Sequence, residues 1–102
     1  RHLESIGVDM IVLECIPSNL GKTISEAISI PTIGIGAGVH CDGQVLVLYD
    51  LLGITPGKLP RFVKNFLATA VTVTDENVIV SAIKDYVAAV KNNTFPTPDE
   101  SY

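Results

Sequence analysis

Apolar positions gather into three short, nearly continuous runs: Met10–Ile16, the stretch Pro31–Ile35, and Gln44–Asp50. Continuous rather than alternating apolar residues mark strands covered on both faces, the pattern of a parallel sheet. Pro31 suits the first position of its strand, where no ladder amide is required. Between the first two runs the spacing becomes helical. Leu20, Ile24, Ala27 and Ile28 recur at i, i+4, i+7 and i+8, with Ser18 or Asn19 available as N-cap. Strand, helix, strand with short joints predicts a βαβ unit with its two strands parallel and adjacent. The next joint, GIGAGVHCDG, is too short and irregular for a helix.

Two helices are expected after the third strand. Pro60 suits the first position of one, with Phe62, Val63, Phe66 and Leu67 facing inward. The other is expected from about Asp75 to Lys91, with Ile79, Ala82, Ile83, Tyr86, Val87 and Val90 on its apolar face. Acids in its first turn and Lys91 in its last have the signs that the helix dipole favours. Residues 93–102, with two prolines and mostly polar neighbours, read as a surface tail. Arg1–Ile6 reads as the last turns of a helix stopped by Gly7, so more of the fold is expected ahead of it. Three parallel strands with helices mainly on one side leave apolar faces and edges uncovered. The 102 residues are therefore read as one part of a larger α/β domain.

Composition narrows the classes. Apolar residues at 47% and charged residues at 18% supply a core and exclude disorder. A net charge of −4 without a Lys/Arg cluster argues against a nucleic-acid or anionic-membrane partner. No apolar run approaches the roughly 20 residues of a membrane span. No secretory signal opens the chain. Cys15 and Cys41 lack CxxC spacing and read as free thiols of a reducing, cytoplasmic compartment. Asn92-Asn93-Thr94 is then a chance match to a glycosylation sequon.

Chemistry in parallel α/β folds sits at the carboxyl ends of strands, where Glu14, Gly36–Gly38 and Asp50 are expected. Met10, Val12 and Glu14 share one strand face by the period of two. In a barrel, Glu14 would stand at the mouth above an apolar layer, where partial desolvation makes a carboxylate a stronger base. The plainer alternative pairs Glu14 with Lys22 or uses it to cap the following helix. GIGAG has GxGxG spacing rather than GxGxxG, with no helix behind it, so its glycines are read as letting backbone pass close to a neighbour. His40-Cys41-Asp42 are consecutive, so their side chains cannot converge on a metal. Asp50 reads equally as a buried acceptor for loop amides and as a site residue.

Four ordered stretches carry a resemblance: VLECIP (12–17), IPTIGIGAG (30–38), DGQVLVLYDLLGI (42–54) and RFVKNFL (61–67). Together they resemble the ketopantoate hydroxymethyltransferase family over most of residues 5–98. The resemblance implies the last three β/α units of a (β/α)8 TIM-type barrel. It implies transfer of a hydroxymethyl group from 5,10-methylenetetrahydrofolate to 3-methyl-2-oxobutanoate, giving ketopantoate for pantothenate and coenzyme A. It also implies Mg²⁺ on the 2-oxo acid, a homo-oligomer, and a glutamate base that removes the C3 proton and matches Glu14. The family's metal-binding aspartates and substrate-binding serine and lysine belong to earlier strands, so no metal ligand and no substrate-binding residue is assigned here. The 102 residues alone are expected to be inactive. A half-barrel that works only by docking to a complementary chain is the alternative. Two departures stand out: LATAVTVTDENV is longer than the family's usual link, and the tail lacks the histidine common there.

Overall fold

The computed structural model describes residues 1–69 and 77–102. A short helix, α1 (His2–Ser5), precedes β1 (Ile11–Glu14), α2 (Ser18–Ala27) and β2 (Thr32–Ile35). β1 and β2 are parallel, with Ile11 opposite Thr32 and Glu14 opposite Ile35, so the expected βαβ unit is present. Ser29 donates its amide to the Glu4 carboxylate at 2.7 Å, which fastens α1 to the joint entering β2.

α2 covers one face of the sheet. Leu13, Ala37 and Cys41 are buried there, with Ile11, Ile16 and Ile24 packed against them. Thr32, fully buried, shares a 2.7 Å hydrogen bond with Ser25 of α2. The helix approaches most closely at Gly21, where an added Cβ would lie 2.3 Å from the Ala37 carbonyl oxygen. Leu20, expected on the packed stripe, is 45% exposed instead. The N-cap position is Pro17, and Ser18 is the first helical residue rather than the cap.

The third strand is much shorter than its apolar run. Only β3 (Gly43–Gln44) pairs with β2, in parallel, followed by one more bond from the Val45 amide to the Gly34 carbonyl. Leu48–Leu51 forms a helix, α3, so Asp50 lies on a helix and not at a strand end. The reason is the partner. β2 ends at Ile35 and the chain turns away at Gly36, leaving residues beyond Val45 no ladder on that side. Strand propensity without a neighbour does not hold a strand.

The helix expected from Pro60 also starts later. Residues 60–63 make a turn closed by the Val63 amide on the Pro60 carbonyl, and α4 is Phe66–Thr69. Asn65 sets that start. Its side-chain oxygen accepts from the amides of Leu67 and Ala68, two of the donors a helix leaves unpaired. Phe62 and Phe66 are buried as expected.

α5 (Val78–Lys91) begins behind Asn77, whose side chain accepts from the Val80 amide. The expected start at Asp75, with its acids, lies outside the described residues. Ala82, Tyr86, Ala89 and Val90 meet the core, but Ile79, Ile83 and Val87 lie on a second stripe and are exposed. The apolar arc of α5 is wider than the surface it packs on.

That second core joins Leu51, Leu52, Phe66, Ala82 and Phe95. Phe66, Tyr86 and Phe95 meet edge-on, with centroids 5.3 to 5.9 Å apart. Of the stretch read as a surface tail, 93–102, Phe95 is only 3% exposed and Pro96 is buried beside it. A 3-10 turn at Pro98–Glu100 follows, with Thr97 as its cap. Among the described residues no helix is long and apolar enough to cross a membrane.

Candidate active site at the end of the first strand

Glu14 is the last residue of β1, where the spacing put it. Val12 shares its face, and Met10 continues that face one step before the strand. Met10 and Val12 are 55% and 57% exposed, and Glu14 is exposed with them. The carboxylate is therefore not buried within this segment. Helix α2 covers the opposite face, and among the described residues nothing covers the face of Glu14. The plainer alternatives for Glu14 are not realised. Lys22 pairs with Glu26 one turn on, and the first amide of α2 donates to the Tyr102 carbonyl oxygen. Among the described residues the Glu14 carboxylate takes no hydrogen bond or ion pair.

Cys15, next in the chain, has φ +51, a left-handed conformation unusual for a residue with a side chain. Such a conformation costs about 1–3 kcal/mol and persists only where neighbours over-determine it. Here the Cys15 amide donates to the Ile35 carbonyl at 2.9 Å and the Ile16 amide to the Gly36 carbonyl at 3.1 Å. The backbone carrying Glu14 is thus fixed to the end of β2.

The Gly-rich joint packs against this turn. Gly36 and Gly38 have φ +65 and +85. A Cβ at Gly36 would meet the Phe62 ring at 3.0 Å, and one at Gly38 would lie 2.5 Å from the Ser18 Cβ. The steric reading of these glycines matches the packing. The joint is tied back at its far end by Asp42, whose carboxylate accepts from the Thr32 amide at 2.8 Å and hydroxyl at 3.1 Å. Gln44 adds a bond from its side-chain amide to the Gly38 carbonyl.

His40, Cys41 and Asp42 do not converge: His40 is exposed, Cys41 is in the core, and Asp42 serves Thr32. Among the described residues no group of three or more His, Cys, Asp or Glu is placed to hold a metal ion. Asp50 accepts the Thr55 hydroxyl at 2.6 Å, closing the turn after α3. Local spacing passed over Arg61 altogether. Its Nε donates to the Asp99 carbonyl, 38 positions away, and its guanidinium lies over the Tyr102 ring. The one signal for it was its place at the head of RFVKNFL.

The family model for ketopantoate hydroxymethyltransferase matches residues 1–98. A protein of Ruthia magnifica named 3-methyl-2-oxobutanoate hydroxymethyltransferase is 56% identical over 100 residues, covering 98% of this chain and 36% of its own length. One of the same name from Nitrosococcus oceani is 52% identical with the same coverage, and one from Neisseria meningitidis is 46% identical over 99 residues. The chain spans about a third of the length of these relatives, 35–36% in each case. Matched from end to end of the described sheet and helices, the chain belongs to the ketopantoate hydroxymethyltransferase family.

Proposed function

We propose that this segment is the base-bearing part of a transferase that adds a hydroxymethyl group to 3-methyl-2-oxobutanoate, with Glu14 removing the C3 proton. The observation that carries the reading is Glu14 itself. It ends a parallel strand, is free of any partner among the described residues, and is followed by a strained residue held by two backbone bonds. Strain of that kind gathers at functional sites. A carbon acid beside a ketone loses its proton to a carboxylate aimed at it. The enolate's C3 then forms a bond to the methylene carbon, which we take to be supplied by 5,10-methylenetetrahydrofolate; both C–N bonds to that carbon break, water supplies the hydroxyl oxygen, and tetrahydrofolate leaves with no change of oxidation state.

The uncovered face with Met10 and Val12 belongs, in this reading, to the interior of a (β/α)8 barrel whose last three units lie here. The rest of the barrel comes from a complete chain of the relatives' length, expected to be a cytoplasmic homo-oligomer. The described residues offer no ligand set for Mg²⁺. Such an ion would be held by residues outside this segment and would supply charge stabilisation at the ketone oxygen. The same uncovered face also favours a second reading, a half-barrel that works only when docked on a complementary chain.

Turnover separates these readings. The complete chain should form ketopantoate from the 2-oxo acid and the folate, Glu14→Gln should abolish it, and the 102-residue segment alone should be inactive. Activity that appears when the 102-residue segment is mixed with a complementary fragment, with none from either alone, would favour docking. Full turnover by Glu14→Gln would remove the glutamate from the mechanism.

A further inference from the structure

We infer that Arg61 is a positioning residue for Glu14, acting through the segment 97–102 on the turn that follows β1. This rests on the assignment of Glu14 as the base. Glu14 and α2 are joined only by Cys15, Ile16 and Pro17. On one side that turn is held by the Cys15 and Ile16 amides on the end of β2. On the other side its last anchor is Ser18, and the Ser18 amide donates to the Tyr102 carbonyl oxygen at 2.9 Å. Gly38 presses on the same residue from beneath. The conformation at Cys15 needs restraint from both sides, and the outer restraint is the tail.

The tail is held in turn by Arg61. Its Nε donates to the Asp99 carbonyl at 3.1 Å, with Nη2 3.5 Å from the Pro98 carbonyl. The guanidinium carbon lies 5.9 Å from the centre of the Tyr102 ring, within range of a cation–π contact. The tail is also organised internally. Thr97 bonds the Glu100 carboxylate and accepts from the Asp99 amide, and Ser101 donates to the Thr97 carbonyl. Arg61 therefore grips a preformed turn, and that turn offers one carbonyl to the helix behind Glu14. Loss of the grip frees the Tyr102 oxygen, leaves the Ser18 amide unpaired, and lets Cys15 leave its left-handed conformation. The carboxylate then loses its aim without losing its chemistry.

The test uses the complete chain and follows both turnover and deuterium exchange at C3 of the 2-oxo acid without folate, per folded molecule. Arg61→Ala should slow kcat and exchange together by roughly tenfold, less than the roughly hundredfold that a 1 Å misplacement of a reacting group can cost, with KM changed less than about twofold. Arg61→Lys, which keeps a cation and donors, should recover part of the loss. Tyr102→Ala removes an exposed ring and should fold normally, giving a smaller loss in the same direction. In a Glu14→Gln background, Arg61→Ala should add nothing. Should Arg61→Ala fail to fold, Tyr102→Ala decides. Wild-type exchange in the Arg61 and Tyr102 variants, with Glu14→Gln slowed, overturns the positioning role alone. Wild-type exchange in Glu14→Gln overturns the base assignment and this inference with it.

Discussion

Gly38 and Ser18 are in such close contact that a β-carbon on the glycine would overlap the serine's, at 2.5 Å. The glycine joint and the start of α2 are thus one packed unit beneath the turn that follows Glu14. Gly38→Ala should destabilise the fold by at least about 2 kcal/mol, combining left-handed backbone strain with the overlap. Gly57→Ala supplies the control. Gly57 has φ +87 with nothing within 4 Å, so its loss reports backbone strain alone, about 1–2 kcal/mol. Denaturant unfolding of both variants measures the difference. Equal losses would mean that the contact with Ser18 yields.

Tyr86 ties α5 to the sheet by donating its hydroxyl to the Gln44 carbonyl at 2.8 Å. Burial raises its phenol above the ordinary value of 10.0. The folded state therefore keeps this proton to higher pH than the unfolded chain does. The sign follows: the Tyr86 contribution to stability is full below pH about 10 and is lost as pH climbs through the raised folded value. Tyr86→Phe should cost about 1 kcal/mol at neutral pH, the usual value of one hydrogen bond. Thermal unfolding from pH 8 upward should then fall less steeply in the variant than in the parent, because one proton-linked loss is gone.

Phe95 completes the aromatic trio with Phe66 and Tyr86. Phe95→Ala should destabilise by about 3–5 kcal/mol, as for other buried Phe truncations. A loss under 1 kcal/mol in denaturant unfolding would return residues 93–102 to the status of a surface tail.

Legibility followed the range of the interaction. β1, α2 and β2 could be read because their signal is local: apolar runs of strand length around one helical stripe. Glu14 was legible for the same reason, since its place at the end of β1 depends only on where that strand stops. The third strand was not, because Leu46–Tyr49 has strand composition but no ladder partner once β2 turns away at Gly36. What covers Glu14 is not a matter of local spacing: among the described residues the face it shares with Met10 and Val12 is open. α4 starts at Phe66, behind Asn65, rather than at Pro60 because a side-chain cap outweighs a favourable proline. The grip of Arg61 on Asp99 and Tyr102 spans some 40 positions and leaves no trace in local spacing.

Proton removal can be isolated from one-carbon transfer. Proton NMR of 3-methyl-2-oxobutanoate in D₂O, with the complete chain and Mg²⁺ but no folate, follows exchange at C3 directly. Exchange by the parent is expected, with a loss of at least about a hundredfold in Glu14→Gln, the low end of what a general base contributes. Exchange at the parental rate in Glu14→Gln would contradict the role of Glu14 as the base.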